Sequence, residues 1–211
     1  MTTASLSRRE RDALCDLALT LGEAAPTLCG DWTAKELITH LVVRERSLLG
    51  APGIVVPLLA PLTDREMARV GRRDFAALVE RLRSPFLTVY AVPLVDRFAN
   101  TLEFFVHHED LRRAQAGWEP RPLSAADQST LWAAIRVPGR GLVRPAGVPV
   151  AIRRSDTGAT NTLREGEGQV IVSGPPAELV LFLYGRARTR DLEFDGPQKS
   201  VARLRKARLG V

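Results

Sequence analysis

The stretch EFFVHHED, Glu103 to Asp110, sets a glutamate four residues ahead of a histidine in a chain with three histidines, two of them adjacent here. Four residues is about one helical turn, so on a helix Glu103 and His107 share a face and can converge on one cation. His108 is then turned about 100° away. The third histidine, His40, lies far upstream in WTAKELITHLVVRE, Trp32 to Glu45. Whether these two segments face each other decides between a metal-holding helical bundle and an ordinary amphipathic one.

Working outward, the first half of the chain reads as helices. Ser7 with Glu10 has the spacing of a capping box ahead of Leu14, Leu17, Ala18 and Leu21, an i, i+3, i+4, i+7 stripe. Thr33 with Glu36 is a second capping box, opening a helix whose inward stripe includes Leu37, Leu41 and Leu48, with His40 beside it. The Pro/Gly-rich apolar stretch from Gly50 to Pro61 suits a long ordered loop or lid, and Thr63 with Glu66 offers a further cap. Phe75, Leu78, Val79 and Leu82 repeat the helical spacing until Ser84-Pro85 stops it. A long helix is expected from about Pro93 to about Ala116, carrying Phe98, Leu102, Phe105 and Val106, and GWEPRP ends it.

From Leu123 the texture changes. A short helix, SAADQSTLWAAI, leads into Gly/Pro-rich VPGRGLVRPAGVP, after which Val148, Val150 and Ile152 alternate as in a strand. The turn-rich stretches SDTGATN and REGEG flank a second strand, and QVIVSG makes a third. Pro175-Pro176 opens the helix AELVLFLYGRAR, and DLEFDGP adds a strand before a terminal helix. The expected architecture is mainly α: a four-helix bundle over residues 1–120 and a small α+β domain over residues 121–211.

The composition limits what such a chain does. Forty-five per cent hydrophobic residues suffice for a buried core. The first residues, MTTASLSRRERD, have no apolar run behind their basic residues, so no secretory leader is expected. The greasiest run, Leu48 to Leu62, is shorter than a membrane span and broken by Pro52, Pro57 and Pro61. Cys15 and Cys29 form neither a CxxC knuckle nor a disulfide framework, which fits a reducing cytoplasm. The net charge of +6 is carried mostly by scattered arginine, with lysine at Lys35, Lys199 and Lys206. Only the tail KSVARLRKARLG is densely basic, and it reads first as a terminal helix, so no nucleic-acid partner and no membrane are expected.

Facing helices of a bundle can bring side chains together on an interior site, where glutamate and histidine are the usual donors. His40, Glu103 and His107 supply two imidazoles and one carboxylate, and three protein ligands leave a fourth position open, as in catalytic zinc sites. Asp110, three residues after His107, can accept the free ring N–H of that histidine. The plainer readings are surface histidines on an amphipathic helix, a core histidine at His40 satisfied by backbone, and Glu109 and Asp110 paired with Arg112 and Arg113. Cys29 reads as a small buried cysteine or as a thiol nucleophile, with no partner base that the sequence can name.

The segment LCGDWTAKELITHLVVRE resembles a signature of the DinB and mycothiol-dependent maleylpyruvate isomerase superfamily, and LEFFVHHEDLRRAQAG resembles its second segment. The resemblance implies a four-helix bundle holding a divalent metal, taken as zinc, on His40, Glu103 and His107. SGPPAELVLFLYGRAR followed by FDGP is similar to the sterol-carrier-like domain that actinobacterial members append. His108 is a departure from the pattern and, with Asp110, is expected to stand behind the ligands. The implied chemistry is activation of a low-molecular-weight thiol such as mycothiol toward an electrophilic substrate, as an isomerase or S-transferase. Arg186 is the C-terminal arginine that could meet an anionic group, or else an arginine complementing a helix end. Two other classes stand beside this one: a non-catalytic module holding a metal or small molecule against Leu48–Leu62, and a nucleic-acid binder using the basic tail.

Overall fold

The computed structural model describes residues 4–47, 57–84 and 100–210. It divides into two compact units, Met1–Glu119 and Pro120–Val211. The first is built from helices α1 (Leu6–Leu21), α2 (Ala34–Arg46), α3 (Ala60–Val70), α4 (Phe75–Arg83) and α5 (Thr101–Ala114). Helix α1 packs on α5 and α4, α2 packs on α4, and α3 lies against α2. The chain is thus mainly α, with α1, α2, α4 and α5 around one core that α3 joins through Val70, and a small sheet in the second unit.

The periodic apolar positions of three helices meet in that core, with Leu14 and Ala18 of α1, Leu37 and Leu41 of α2, and Leu78 and Leu82 of α4 fully buried; α5 enters it through Phe104 and Leu111 instead of the expected Leu102, Phe105 and Val106, which are buried as well. Helix α2 starts where expected, at a capping box in which the Thr33 and Glu36 side chains reciprocally hold the first turn. Helix α1 does not. Its cap is Ser5, whose hydroxyl accepts the Arg8 N–H at 3.2 Å, because Ser7 and Glu10 are both turned into the interior. Leu21, at the end of the expected stripe, is 37% exposed.

Thr63 is likewise no cap. A 3₁₀ turn at Pro57–Leu59 runs into α3, so Pro57 to Pro61 is helical rather than loop, and Glu66 bonds Ser47 and Arg69 instead. The remainder of the expected lid, Leu48, the start of the expected fifth helix and Phe98 lie outside the described residues.

The bundle core also holds a charged pair. Arg11 of α1 donates twice to the Glu45 carboxylate of α2, at 2.7 and 2.5 Å, and once to the Leu82 carbonyl of α4 at 2.8 Å. Its guanidinium lies 4.2 Å from the Phe104 ring centre on α5. One side chain of α1 therefore touches three other helices.

In the second unit, α6 (Ala125–Ile135), capped by Ser124, and the one-turn α7 (Gly139–Leu142) precede a four-stranded sheet of order β2-β1-β3-β4. Strands β1 (Val150–Arg154) and β3 (Val170–Gly174) pair in parallel at its centre. The edge strands β2 (Thr160–Arg164) and β4 (Glu193–Asp195) are antiparallel to them. Strand β2 begins inside the stretch read as a turn. Helix α8 (Pro176–Leu183) covers β3 and α6, and α9 (Gln198–Lys206) follows β4. Gly185, at φ 77°, ends α8 where a side chain would run into the Leu209 carbonyl. Among the described residues no helix is long and apolar enough to cross a membrane.

Removing one member of a buried ion pair leaves the other uncompensated. Glu45→Ala should therefore cost about 3–5 kcal/mol in urea unfolding, whereas the double change Arg11→Met with Glu45→Leu should recover much of that loss.

Candidate metal centre

Helices α2 and α5 supply the donors. His40 Nε2 lies 3.5 Å and His107 Nε2 3.4 Å from the same oxygen, Glu103 Oε1. The i, i+4 spacing sets Glu103 and His107 one above the other on α5, and α2 brings His40 across to them. The imidazoles are 5.5 Å apart, centre to centre, at 69°. Donor atoms of all three residues lie within 4.8 Å of one another. Trp32, just ahead of the α2 cap, packs its ring 5.1 Å from that of His40.

The opposite edge of His107 is held as tightly. Its Nδ1–H donates to Asp110 Oδ2 at 3.0 Å, and the Asp110 side chain has no exposure. That bond leaves Nε2 as the nitrogen aimed at Glu103, the arrangement in which a carboxylate orients a ligating histidine. The Cys29 thiol donates to the same Oδ2 at 3.0 Å and lies 3.6 Å from His107 Nδ1.

Cys29 and Arg44 are what the sequence reading missed at this site. Cys29 is 78 residues from its histidine partner, a separation that no local pattern crosses. Arg44, one turn after His40 on α2, places Nε 3.3 Å from Glu103 Oε1 and also donates to Asn100 Oδ1 at 2.9 Å.

His108 takes no part in the trio. Its Nδ1 bonds Glu10 of α1 at 2.7 Å, so the place expected for it behind the ligands is corrected to an interhelical bond. Glu109 is paired with Arg112 and Arg113 as read, but in the interior rather than in water. Asp110 is bonded to His107 and Cys29. Arg186, in the second unit, donates to the Tyr184 carbonyl at 2.6 Å just past the end of α8.

These contacts set the protonation states of the metal-free protein. Burial works against charge on Glu103, yet hydrogen bonds from His107 and His40 and the nearby charges of His107 and Arg44 hold its carboxyl well below the usual range. Burial also opposes charge on His107, but Asp110, Cys29 and Glu103 outweigh it and hold the imidazole well above an ordinary histidine. For His40, burial dominates and lowers the value despite Glu103. The metal-free cluster is thus a charged Glu103–His107 pair with a neutral His40 beside it.

Two facing helices, a carboxylate and two imidazoles define a helical-bundle protein with a metal-type donor set. No family model matches the chain, and no curated protein matches it. Among solved structures it is similar to a crystal structure of the mycothiol-dependent maleylpyruvate isomerase, with 19% identity over 90% of each chain and a TM-score of 0.60. A histidine-to-alanine mutant of the enzyme so named matches at 18% identity over 90% of each chain, with a TM-score of 0.61. The chain shares the fold of that mycothiol-dependent maleylpyruvate isomerase.

The metal-free pair carries a pH signature. The stability that His107 contributes is full below about pH 6.5, where an unfolded histidine is charged, and is lost as pH rises through the raised folded value. The Glu103 contribution is present above the ordinary carboxylate range and is lost as pH falls through its depressed value. In chelator-treated protein at pH 7.5, ring nitrogen NMR should show His107 doubly protonated and His40 neutral. A neutral His107 there would contradict the charged pair.

Proposed function

We propose that the chain is a divalent-metal-dependent enzyme of thiol-linked chemistry, with zinc held by His40 Nε2, Glu103 and His107 Nε2. The observation that carries this reading is the pair of imidazole nitrogens, 3.5 and 3.4 Å from one half-buried carboxylate oxygen. Donors about 2.0–2.1 Å from a tetrahedral ion stand about 3.3–3.5 Å apart, so the donor set fits a cation without rearrangement of the helices. A bound zinc would supply Lewis acidity that stabilises the thiolate form of a low-molecular-weight thiol.

The chain's own residues do the remainder. Asp110 keeps the His107 proton on Nδ1, which leaves Nε2 a lone pair for the metal once the Nε2 proton is released. Arg44 gives way at Glu103 and retains Asn100 as its partner. Trp32 covers one side of the His40 ring and limits its rotation.

The co-substrate is mycothiol or a thiol of that kind, and the second substrate is a small electrophile undergoing isomerisation or S-transfer. The shared fold with a mycothiol-dependent isomerase supports this choice. The metal centre belongs to a domain of residues 1–120. Residues 121–211 form a sterol-carrier-like domain whose Arg186 is the arginine to test against an anionic substrate. The reading places the protein in the cytoplasm of an actinobacterium, without nucleic acid or membrane as partner. A non-catalytic module would keep the metal and lack turnover.

Metal analysis with activity measurement tests the proposal. Purified protein should carry one zinc per chain, and His40→Ala, Glu103→Ala and His107→Ala should each lose it together with turnover on a panel of thiols and electrophiles. His108→Ala should keep the metal and melt at lower temperature, because it leaves Glu10 buried without its imidazole. Metal loss in His108→Ala with retention in His107→Ala would overturn the assignment.

A further inference from the structure

Resting on that reading of His107, we propose that Cys29, Asp110 and His107 Nδ1 form a second, thiophilic metal site that competes with the first for the same imidazole. Two of the donors, His107 and Asp110, lie one turn apart on α5, and the third, Cys29, is brought to them by the loop ahead of α2. Sγ lies 3.0 Å from Asp110 Oδ2 and 3.6 Å from His107 Nδ1, and Oδ2 lies 3.0 Å from Nδ1. The 3.6 Å Sγ–Nδ1 separation is an edge of a tetrahedron about a metal with one sulfur ligand, about 3.3–3.7 Å, and the two 3.0 Å distances to Oδ2 are hydrogen bonds that lengthen by a few tenths of an ångström once an ion replaces their protons.

The loop that carries Cys29 is built rather than slack. The Leu28 N–H donates to the Asp110 carbonyl at 3.1 Å, and the Cys29 N–H donates to Thr27 Oγ1 at 3.1 Å. The Thr27 hydroxyl donates to the Trp32 carbonyl at 2.7 Å, and the Trp32 N–H donates to the Cys29 carbonyl at 3.2 Å. Gln115 Nε2 ties Pro26 to the end of α5 at 3.0 Å. Sγ is thus fixed beside α5, and the half-buried Cys29 leaves an ion a way in from solvent.

The competition follows from imidazole chemistry. A neutral ring has one lone pair to give: with the proton on Nδ1, bound to Asp110, the ring serves the His40–Glu103 side, and with the proton on Nε2 it serves the Cys29 side. From the charged metal-free ring, binding at Cys29 releases the thiol proton and the His107 Nδ1 proton and leaves the Nε2 proton in place, from which it donates to Glu103. Ligand softness decides which side fills. Thiolate favours soft ions such as Cd²⁺, whereas the two imidazoles and carboxylate suit Mn²⁺.

The test uses the full chain, with Cd²⁺ followed by its ultraviolet thiolate charge-transfer band and Mn²⁺ by electron paramagnetic resonance. The band should reach saturation at one Cd²⁺ per chain in wild type and in His40→Ala, and be lost in Cys29→Ser. Bound Mn²⁺ should be retained in Cys29→Ser, lost in His40→Ala, and displaced from wild type by one equivalent of Cd²⁺. Cys15 should add nothing to the band, since it is fully buried and burial pushes its thiol up to about 12.

No band in wild type and His40→Ala, or a full band in Cys29→Ser, overturns the site. Simultaneous binding of both ions overturns the competition. Absence of Mn²⁺ binding in wild type with the Cd²⁺ band intact would instead remove the His40 reading and leave the Cys29 site standing. Should Cys29→Ser fail to fold, the His40→Ala titration decides alone.

Discussion

Helix α5 carries ionisable side chains into the interior of the bundle, and the arrangement around it follows from the need to pair them there. Eleven of its fourteen residues are buried, among them His107, His108, Glu109, Asp110 and Arg113 in nearly unbroken succession. An unpaired charge at such depth costs several kcal/mol. Each face of α5 therefore has a dedicated partner: Glu10 of α1 for His108, Glu103 and the Cys29 loop for His107 and Asp110, and Arg113 for Glu109. The polar pairing fixes the rotation of α5 in a way that apolar packing alone would not. Rotating the helix by one residue, about 100°, would strand the pairs made outside it, His108 with Glu10 and Asp110 with Cys29, whereas Glu103–His107 and Glu109–Arg113 lie within α5 and turn with it.

This constraint explains what was legible in the sequence. Relations along one helix could be read directly: Glu103 with His107, His107 with Asp110, and the Thr33–Glu36 cap all span one turn. The placement of His40 opposite them needed the additional fact that histidine is scarce in the chain. Relations between helices were not legible. Glu10 matched the capping-box pattern with Ser7, but its carboxylate is held by His108, 98 residues away. The cap moved to Ser5 because an interior pairing outweighs a surface hydrogen bond worth about 1 kcal/mol. Cys29 escaped for the same reason, since a loop residue reveals its partner only through the tertiary fold.

In the second unit the legible signals were turn chemistry and the prolines. Pro175-Pro176 marks the start of α8, as a residue lacking an N–H at a helix start should. The start of β2 was misread because Thr160 and Asn161, which pair with Arg153 and Ile152 of β1, are also common turn residues. Pairing across the sheet, rather than the local preference, decided their conformation.

The charge balance of the cluster bears on the chemistry proposed for it. Without metal, the carboxylates of Glu103 and Asp110 face the guanidinium of Arg44 and a protonated His107, and the charges cancel. A divalent ion that takes the place of the His107 Nε2 proton adds one net positive charge to a site where burial makes an unbalanced charge expensive. Among the donors assigned to the first site, Glu103 is the sole anion and is already counted. On the proposed reading the missing negative charge would come from outside the trio, and a bound thiolate would restore neutrality where a neutral water would not. Asp110 has a second use in this balance: its buried carboxylate keeps the deficit to a single charge, one that a monoanionic sulfur ligand can fill.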